Sequence, residues 1–366
     1  MRCSGIFRAL GVCALATILI VAAPLKSEAQ SNAAATDSPP SPTLLERWVD
    51  LQTAMFQIRY HDVESSAGAR TANQAQDSIT LQARFTFDAQ RRFSLGTVVG
   101  TGNGFISSWN NTGIGTGDAA KALFMKQLFI AVRPLKGVEG SYGGIGVVRG
   151  ESTEITSYDN DGYLLGERIT VKRPHELYFD DVSFTNAYLG STTQSSFFSR
   201  TQHFDDRNYR HLLFAKKLRP WIGASGDYTW VSDATRTVGT VRAAATMKTQ
   251  PLRVVDLVRW EQYRRGGPQS AFGFAAHGEK TLAKRVTIGG GYANIDPNYG
   301  GLNADRFQRG KRLYQTGSVK LTRELAINLY ATEAVDNAVP ISVHRRYDVV
   351  LAYNAVTSLQ RAGLFR

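Results

Sequence analysis

The chain has 366 residues, a formal net charge of +12 and only two cysteines, Cys3 and Cys13. Both cysteines sit in the first 29 residues, so a disulfide framework or a cysteine metal site further along is excluded. The basic balance would suit nucleic acid, but the start of the chain reads as an export signal, which directs the expectation to anionic solutes and surface anions such as lipopolysaccharide instead.

In chain order, MRCSGIFR is a basic region and ALGVCALATILIVAA an apolar one, followed by a small-x-small site ending at Ala29. Residues 1–29 therefore have the form of a secretory signal peptide. Residues 30–43 are rich in Pro, Ser and Ala and read as a flexible spacer. Thr43 and Glu46 make a possible capping box, and Leu44, Leu45, Trp48 and Val49 a helical stripe, so a short helix is expected over 44–52. No later stretch approaches 18 consecutive apolar residues, which leaves no transmembrane helix after residue 30.

From there the hydrophobic period changes from 3.6 to 2. In SITLQARFTFD, Ile79, Leu81, Ala83, Phe85 and Phe87 share one face while Thr80, Gln82, Arg84 and Thr86 share the other. Such alternation makes a strand with one apolar and one polar face. It recurs around Phe56–Tyr60, Leu128–Val132, Ile222–Trp230, Val241–Met247, Leu325–Leu329 and Tyr347–Tyr353. The segment 252–265 does not sort cleanly and suggests a bulge. Short connections at 88–92, 133–137, 172–176, 218–220, 249–252, 279–284 and 322–324 alternate with longer ones near 63–77, 101–122, 151–165, 188–207, 232–236, 264–270, 296–310 and 333–345. Seven short turns interleaved with eight long loops imply about 16 strands, within a range of 14–18. The fold expected is all-β: a single antiparallel transmembrane barrel over residues 53–356, with 357–366 as its end or a short tail. A soluble sandwich shares the alternation, but one unbroken β region of this length exceeds the usual soluble domain, and the short/long regularity would be coincidental.

Strand position also explains GSYGGIGVVRG at 140–150. Its glycines resemble a nucleotide loop, but such a loop needs a strand before it and a helix after it. Here the segment comes directly after the turn RPLKG and no helical pattern comes next, so the glycines are expected in a barrel wall that other groups approach closely. The segment GGGY at 289–292 has the same reading.

These residues carry a family likeness. The hairpin KQLFIAVRPLKGVEGSYGGIGV, the opening strand WVDLQTAMFQIRY and the sixteen-strand plan resemble Gram-negative outer-membrane porins, and the hairpin in particular resembles alginate-export barrels. The resemblance implies a barrel in the bacterial outer membrane, in contact with its lipid and lipopolysaccharide, with a solute-conducting lumen rich in arginine. Such barrels usually end on an aromatic residue. Here Phe365 is penultimate and Arg366 last, a departure from that pattern.

Basic residues on the polar faces are the candidate pore lining: Arg59, Arg84, Arg133, Arg242, Lys248, Arg285, Lys320 and Arg346. Together they would concentrate anions in a narrow pore. The competing reading pairs them with Asp88, Asp227 and Asp348. In the loop 151–168, Asp159, Asp161 and Gly162 resemble part of a calcium loop, but Ser157 and Arg168 occupy positions where ligands belong, so an exposed hairpin is expected. HELYFDD (175–181) and HFDD (203–206) group histidine with carboxylates but read as solvated loops. His277 alternates with Phe272, Phe274 and Ala276, which places it toward the lumen, and nothing there supports a nucleophile. No catalytic residue, metal or cofactor is expected, and no nucleic-acid partner. The function expected is passive passage of small solutes, with anions favoured. The alternatives are selective export or import of anionic oligosaccharides, or a structural barrel whose loops bind a surface partner.

Overall fold

A computed structural model describes residues 47–104, 107–152, 162–173, 178–190, 193–233, 236–249, 254–267, 270–299, 309–335, 343–362 and 364. Seventeen strands succeed one another: β1 (Val49–Ser65), β2 (Arg70–Thr86), β3 (Phe93–Thr101), β4 (Asn110–Gly115), β5 (Leu123–Leu135), β6 (Val138–Gly146), β7 (Tyr163–Val171), β8 (Asp181–Tyr188), β9 (Tyr209–Arg219), β10 (Ile222–Ser232), β11 (Thr237–Lys248), β12 (Leu257–Arg265), β13 (Ala271–Leu282), β14 (Val286–Ile295), β15 (Gly310–Lys320), β16 (Leu325–Ala334) and β17 (Val343–Asn354). Each barrel strand pairs antiparallel with its neighbours, and β1 pairs with both β2 and β17, so the sheet closes on itself. The strand β4 stands aside: it pairs only with the upper part of β2, while β3 pairs directly with β5. Sixteen strands therefore make the ring. Closure leaves the ring of sixteen without an open edge, which would otherwise attract another chain.

The alternation sorts chemistry by face. Ile58 on the outside is 60 % exposed and Ile169 56 %, whereas Ser78 on the inside is 1 % exposed and Thr185 0 %. This is the reverse of a soluble protein, and it is the arrangement that an apolar solvent selects: apolar side chains outward, with the backbone of the wall paired across strands.

Three expectations change. A helix does not run through 44–52: residues 44–46 lie outside the described residues, Arg47 and Trp48 are helical, and β1 begins at Val49. Val49 pairs with Phe85 and Leu51 with Ala83, so the ladder to β2 overrides a stripe that would also suit a helix. The cap residues Thr43 and Glu46 lie outside the described residues. A short helix also comes after β17: α1 (Ala355–Arg361), whose first turn is capped by Asn354, its Oδ1 accepting the Val356 N–H at 3.1 Å. Secondly, 63–77 is not a loop. The β1–β2 hairpin continues to a tight turn at Gly68 (φ +79°), where the Ser65 N–H donates to the Ala69 carbonyl at 2.8 Å. Its upper part is polar on both faces and so lacks the period-2 signal, but backbone pairing holds it extended. Thirdly, β12 carries no bulge in its register with β11 or β13. Its pattern is blurred because Gln262 and Arg264 point outward above Val258 and Trp260.

The glycine-rich stretch covers the end of β6 and the residues just beyond it. Gly143 has φ +131°, and a Cβ there would sit 2.4 Å from the Leu128 carbonyl oxygen, so only glycine fits. Gly144 faces outward against the ring of Phe197. Phe197 belongs to the β8–β9 connection, which folds back over the outer wall: its N–H donates to the Met125 carbonyl at 2.8 Å, and Phe204 stacks on Tyr142 with ring centroids 5.3 Å apart. A 3-10 turn at Phe198–His203 places Arg200 there, donating to the carbonyls of Tyr163 and Leu189.

At the rim formed by the short turns, half-buried carboxylates hold the starts or ends of strands. Asp88 accepts the Phe93 N–H at 2.9 Å, and Asp180 the Lys217 N–H at 2.5 Å. Asp256 accepts the Lys280 ammonium and the Thr281 N–H, each at 2.8 Å. These donors hold all three carboxyls below their ordinary value of 3.8. A carboxyl lowered on folding stabilises the fold fully above its unfolded value, and the contribution disappears as pH falls through the lower folded value. Exchange protection of the Phe93, Lys217 and Thr281 amides is therefore expected to hold above about pH 5 and to drop on acidification below it, ahead of amides at mid-wall. Uniform loss along the strands would show that these turns are not separately anchored.

Candidate functional site in the barrel lumen

The inner wall is organised around shared carboxylates. Where the barrel closes, Asp348 on β17 takes the His61 ring (Nδ1 to Oδ1, 2.5 Å) and the Arg346 guanidinium (Nη2 to Oδ2, 2.8 Å), with Arg59 Nη1 3.6 Å away. Arg59 also donates through Nε to Gln76 Oε1 at 2.9 Å, and its guanidinium lies 4.1 Å from the centroid of the Trp109 ring. Trp109 precedes β4, so this connection lays an aromatic face over the arginine, a cation–π contact. A second centre lies on β9–β11, where Asp227 Oδ1 accepts from Arg242 Nη1 at 3.0 Å and His211 Nε2 is 3.3 Å away. A third lies near the short-turn end: Glu139 binds Arg84 through two bonds of 2.9 and 3.0 Å and Arg133 through one of 2.6 Å. In a fourth, Glu279 meets Arg259 at 3.1 Å and His277 at 2.9 Å, and the His277 ring stacks on Tyr314. Two-residue spacings such as Arg59/His61, Arg346/Asp348 and His277/Glu279 set both partners on one face of a strand.

Of the residues read from sequence, Arg59 and Arg346 converge on Asp348, Arg84 and Arg133 on Glu139, and Arg242 on Asp227. Lys248, Arg285 and Lys320 lie apart from these, exposed at the short-turn rim, and none of the three has an ion pair among the described residues. The expected partners Asp227 and Asp348 are inner-wall carboxylates, whereas Asp88 sits in a turn with Arg92. His277 faces the lumen as its alternation indicates.

The connection after β6 departs most from expectation. Residues 151 and 152 are not part of an exposed hairpin. The Glu151 N–H donates to Ser225 Oγ at 2.8 Å, and Ser152 is buried. A Cβ on Gly150 (φ +56°) would meet that same Ser225, and one on Gly223 would meet the Glu151 carboxylate. Ser225 and Gly223 share the inward parity of Asp227 on β10. The chain thus leaves β6 and folds into the lumen against the inner wall of β9 and β10, bringing a carboxylate with it. Ser157, Asp159 and Asp161 lie outside the described residues. Arg168 belongs to β7, donating to the Gly146 carbonyl and to Thr185 Oγ1, so it is not part of a cation loop. His175 also lies outside the described residues, and His203 pairs with Asp206 at 2.7 Å and stacks on Tyr188. Among the described residues, no three metal-ligating side chains come together.

No family model matches the chain, and no curated protein matches it. Solved structures do. A triple mutant of the Rhodopseudomonas blastica porin superposes with a TM-score of 0.53 at 11 % identity, covering 84 % of this chain and 99 % of the porin. Salmonella typhi OmpF, in complex with daunomycin, superposes with a TM-score of 0.55 at 9 % identity, covering 86 % of this chain and all of OmpF. The fold is that of the porin barrels: sixteen antiparallel strands, apolar outside and polar within.

Proposed function

We propose that the protein is an outer-membrane channel for small solutes that favours anions. The observation that carries this is the closed barrel with an apolar outer wall and a charged inner wall whose basic residues outnumber its acidic ones. On inward positions, Arg59, Arg84, Arg133, Arg168, Arg242, Arg259, Arg312 and Arg346 stand with Lys248 and Lys320 at the rim; against them stand Glu139, Asp181, Asp227, Glu261, Glu279 and Asp348, with Glu151 on the connection that folds inward. In a narrow pore with low-dielectric walls such an excess focuses a positive potential. The likeness to porins supports the channel part of this reading, with the outer wall in contact with membrane lipid and lipopolysaccharide; the preference for anions rests on the inner-wall charges alone.

The arginines bound to Asp348, Asp227 and Glu139 are partly neutralised where they sit. The exposed rim cations Lys248, Arg285 and Lys320 are better placed to set selectivity without loss of structure. In planar bilayers the wild type is expected to give a steady conductance with a reversal potential on the anion side. Changing the three rim cations together to glutamine should move that potential toward zero, most at about 10 mM salt, where the Debye length is ~30 Å. A silent barrel would sink the channel reading, and an unmoved reversal potential would sink the role of the rim. Orientation is set by loop length, with long loops at the cell surface and short turns in the periplasm. On whole cells, an impermeant thiol reagent should therefore label Asp118→Cys and spare Lys136→Cys; the opposite pattern would invert the barrel.

A further inference from the structure

The described residues include a cavity that faces away from the lumen. It has a volume of about 630 Å³ and is lined by Val241, Ala243, Gln262, Arg264 and Phe272, with Ser270, with the inward-parity Tyr263 and Ala271 between them, and with Asp296 at its lip. The register places the first five of these on the outer wall: Val241 pairs with Arg264, Ala243 with Gln262, and Arg264 with Phe272, opposite in parity to the inward Arg242 and Tyr263. Its floor is apolar and open, Val241 being 50 % exposed and Phe272 51 %. Below it, β11 and β12 continue outward with Ala245 and Trp260, both part of the apolar wall. Its top is cationic: Arg264 is exposed and makes no ion pair among the described residues, and Gln262 adds an amide. Asp296, the carboxylate among the described lining residues, is occupied in part by the Asn298 N–H at 2.8 Å.

We propose that this cavity binds the phosphate headgroup of a membrane lipid, with Arg264 on the phosphate, Gln262 as a second donor, and an acyl chain lying on Val241, Ala243 and Phe272. The chemistry is specific to an anionic amphiphile. A guanidinium offers forked donors that match phosphate oxygens, and an apolar floor of this kind has no complement in a freely soluble anion. Arg264 stands near the long-loop end of β12, above Val258 and Trp260, which is the level at which a headgroup meets the wall. The proposal rests on the membrane reading above, because only there does the outer wall meet lipid.

The test uses the full chain reconstituted in nanodiscs of mixed phosphatidylglycerol and phosphatidylcholine, then read by native mass spectrometry for retained lipid. The wild type should retain phosphatidylglycerol selectively. Arg264→Gln should lower that retention roughly ten-fold, the scale of one charge-assisted bond, and leave phosphatidylcholine unchanged. Val241→Trp, which fills the cavity and keeps the charge, should reduce retention of phosphatidylglycerol as well. Unchanged retention in both variants would overturn the site. Displacement by inorganic phosphate as effective as by lipid would overturn the lipid in favour of a soluble anion. Conductance and heat-modifiable mobility, measured on the same preparations, report separately on the channel reading: a barrel that conducts normally but retains no lipid refutes only this site.

Discussion

Replacing Asp348 by asparagine is expected to lower the stability of the barrel by about 3–5 kcal/mol, the range found when one partner of a buried ion pair is removed. Three cationic or protonatable groups converge on this one carboxylate. Asp348 is 4 % exposed and Arg346 4 %, so neither charge can turn to bulk water when its partner is lost. Asparagine keeps the shape and an acceptor oxygen but leaves Arg346 and Arg59 facing each other without a counter-charge. The measurement is equilibrium unfolding of the refolded barrel in denaturant, and the pair is shielded enough that added salt should not remove the difference. A loss below about 1 kcal/mol, the scale of an exposed pair, would mean that water reaches the cluster freely.

Ile58→Arg is expected to cost about 2–4 kcal/mol of folding free energy in a bilayer, whereas Gln57→Arg should be tolerated. Ile58 lies midway along β1 and is among the most exposed apolar side chains of the wall, opposite Leu351. Its neighbour Gln57 faces inward by parity. Phe85→Arg should cost less than Ile58→Arg, because Phe85 is the penultimate residue of β2, at the short-turn rim, where an arginine can reach water. Unfolding in lipid vesicles separates the three. Equal costs at positions 57 and 58 would mean that the outer wall does not meet hydrocarbon.

The wall was legible in the sequence because a period of two assigns every residue to a face, and a barrel gives those faces opposite chemistry. Phe56, Ile58 and Tyr60 therefore read correctly without any knowledge of partners. The start of β1 did not, since Leu44, Leu45, Trp48 and Val49 fit a helical stripe as well as a strand, and only pairing with Phe85 and Ala83 decides. Nor did the upper β1–β2 hairpin, whose residues are polar on both sides. The grouping of arginines was legible only as parity. That Arg59 and Arg346 meet on Asp348 depends on which strands are neighbours at closure, which no local pattern encodes. The inward turn at Gly150 and Glu151 was hidden for a related reason: polarity marks a loop but not the side of the wall to which it folds. The signal that could have indicated it is Gly150 itself, a left-handed position just after a strand.

The contact between His61 and Asp348 joins residues 287 positions apart, whereas the bond from Arg59 to Gln76 within the first hairpin spans 17. Closing the longer loop costs about four doublings of length, or roughly 2.5 kcal/mol more in chain entropy. The hairpins can zip locally as the chain is laid down, but the seam cannot form until its last strand is available, and β1 waits with one edge open throughout. The charged pairs concentrated there, Asp348 with its three partners inside and Arg345 with Glu64 outside, are thus contacts of the final step. They belong to the native state more than to the barrier before it. Their strength should govern how slowly the finished barrel opens rather than how fast it assembles.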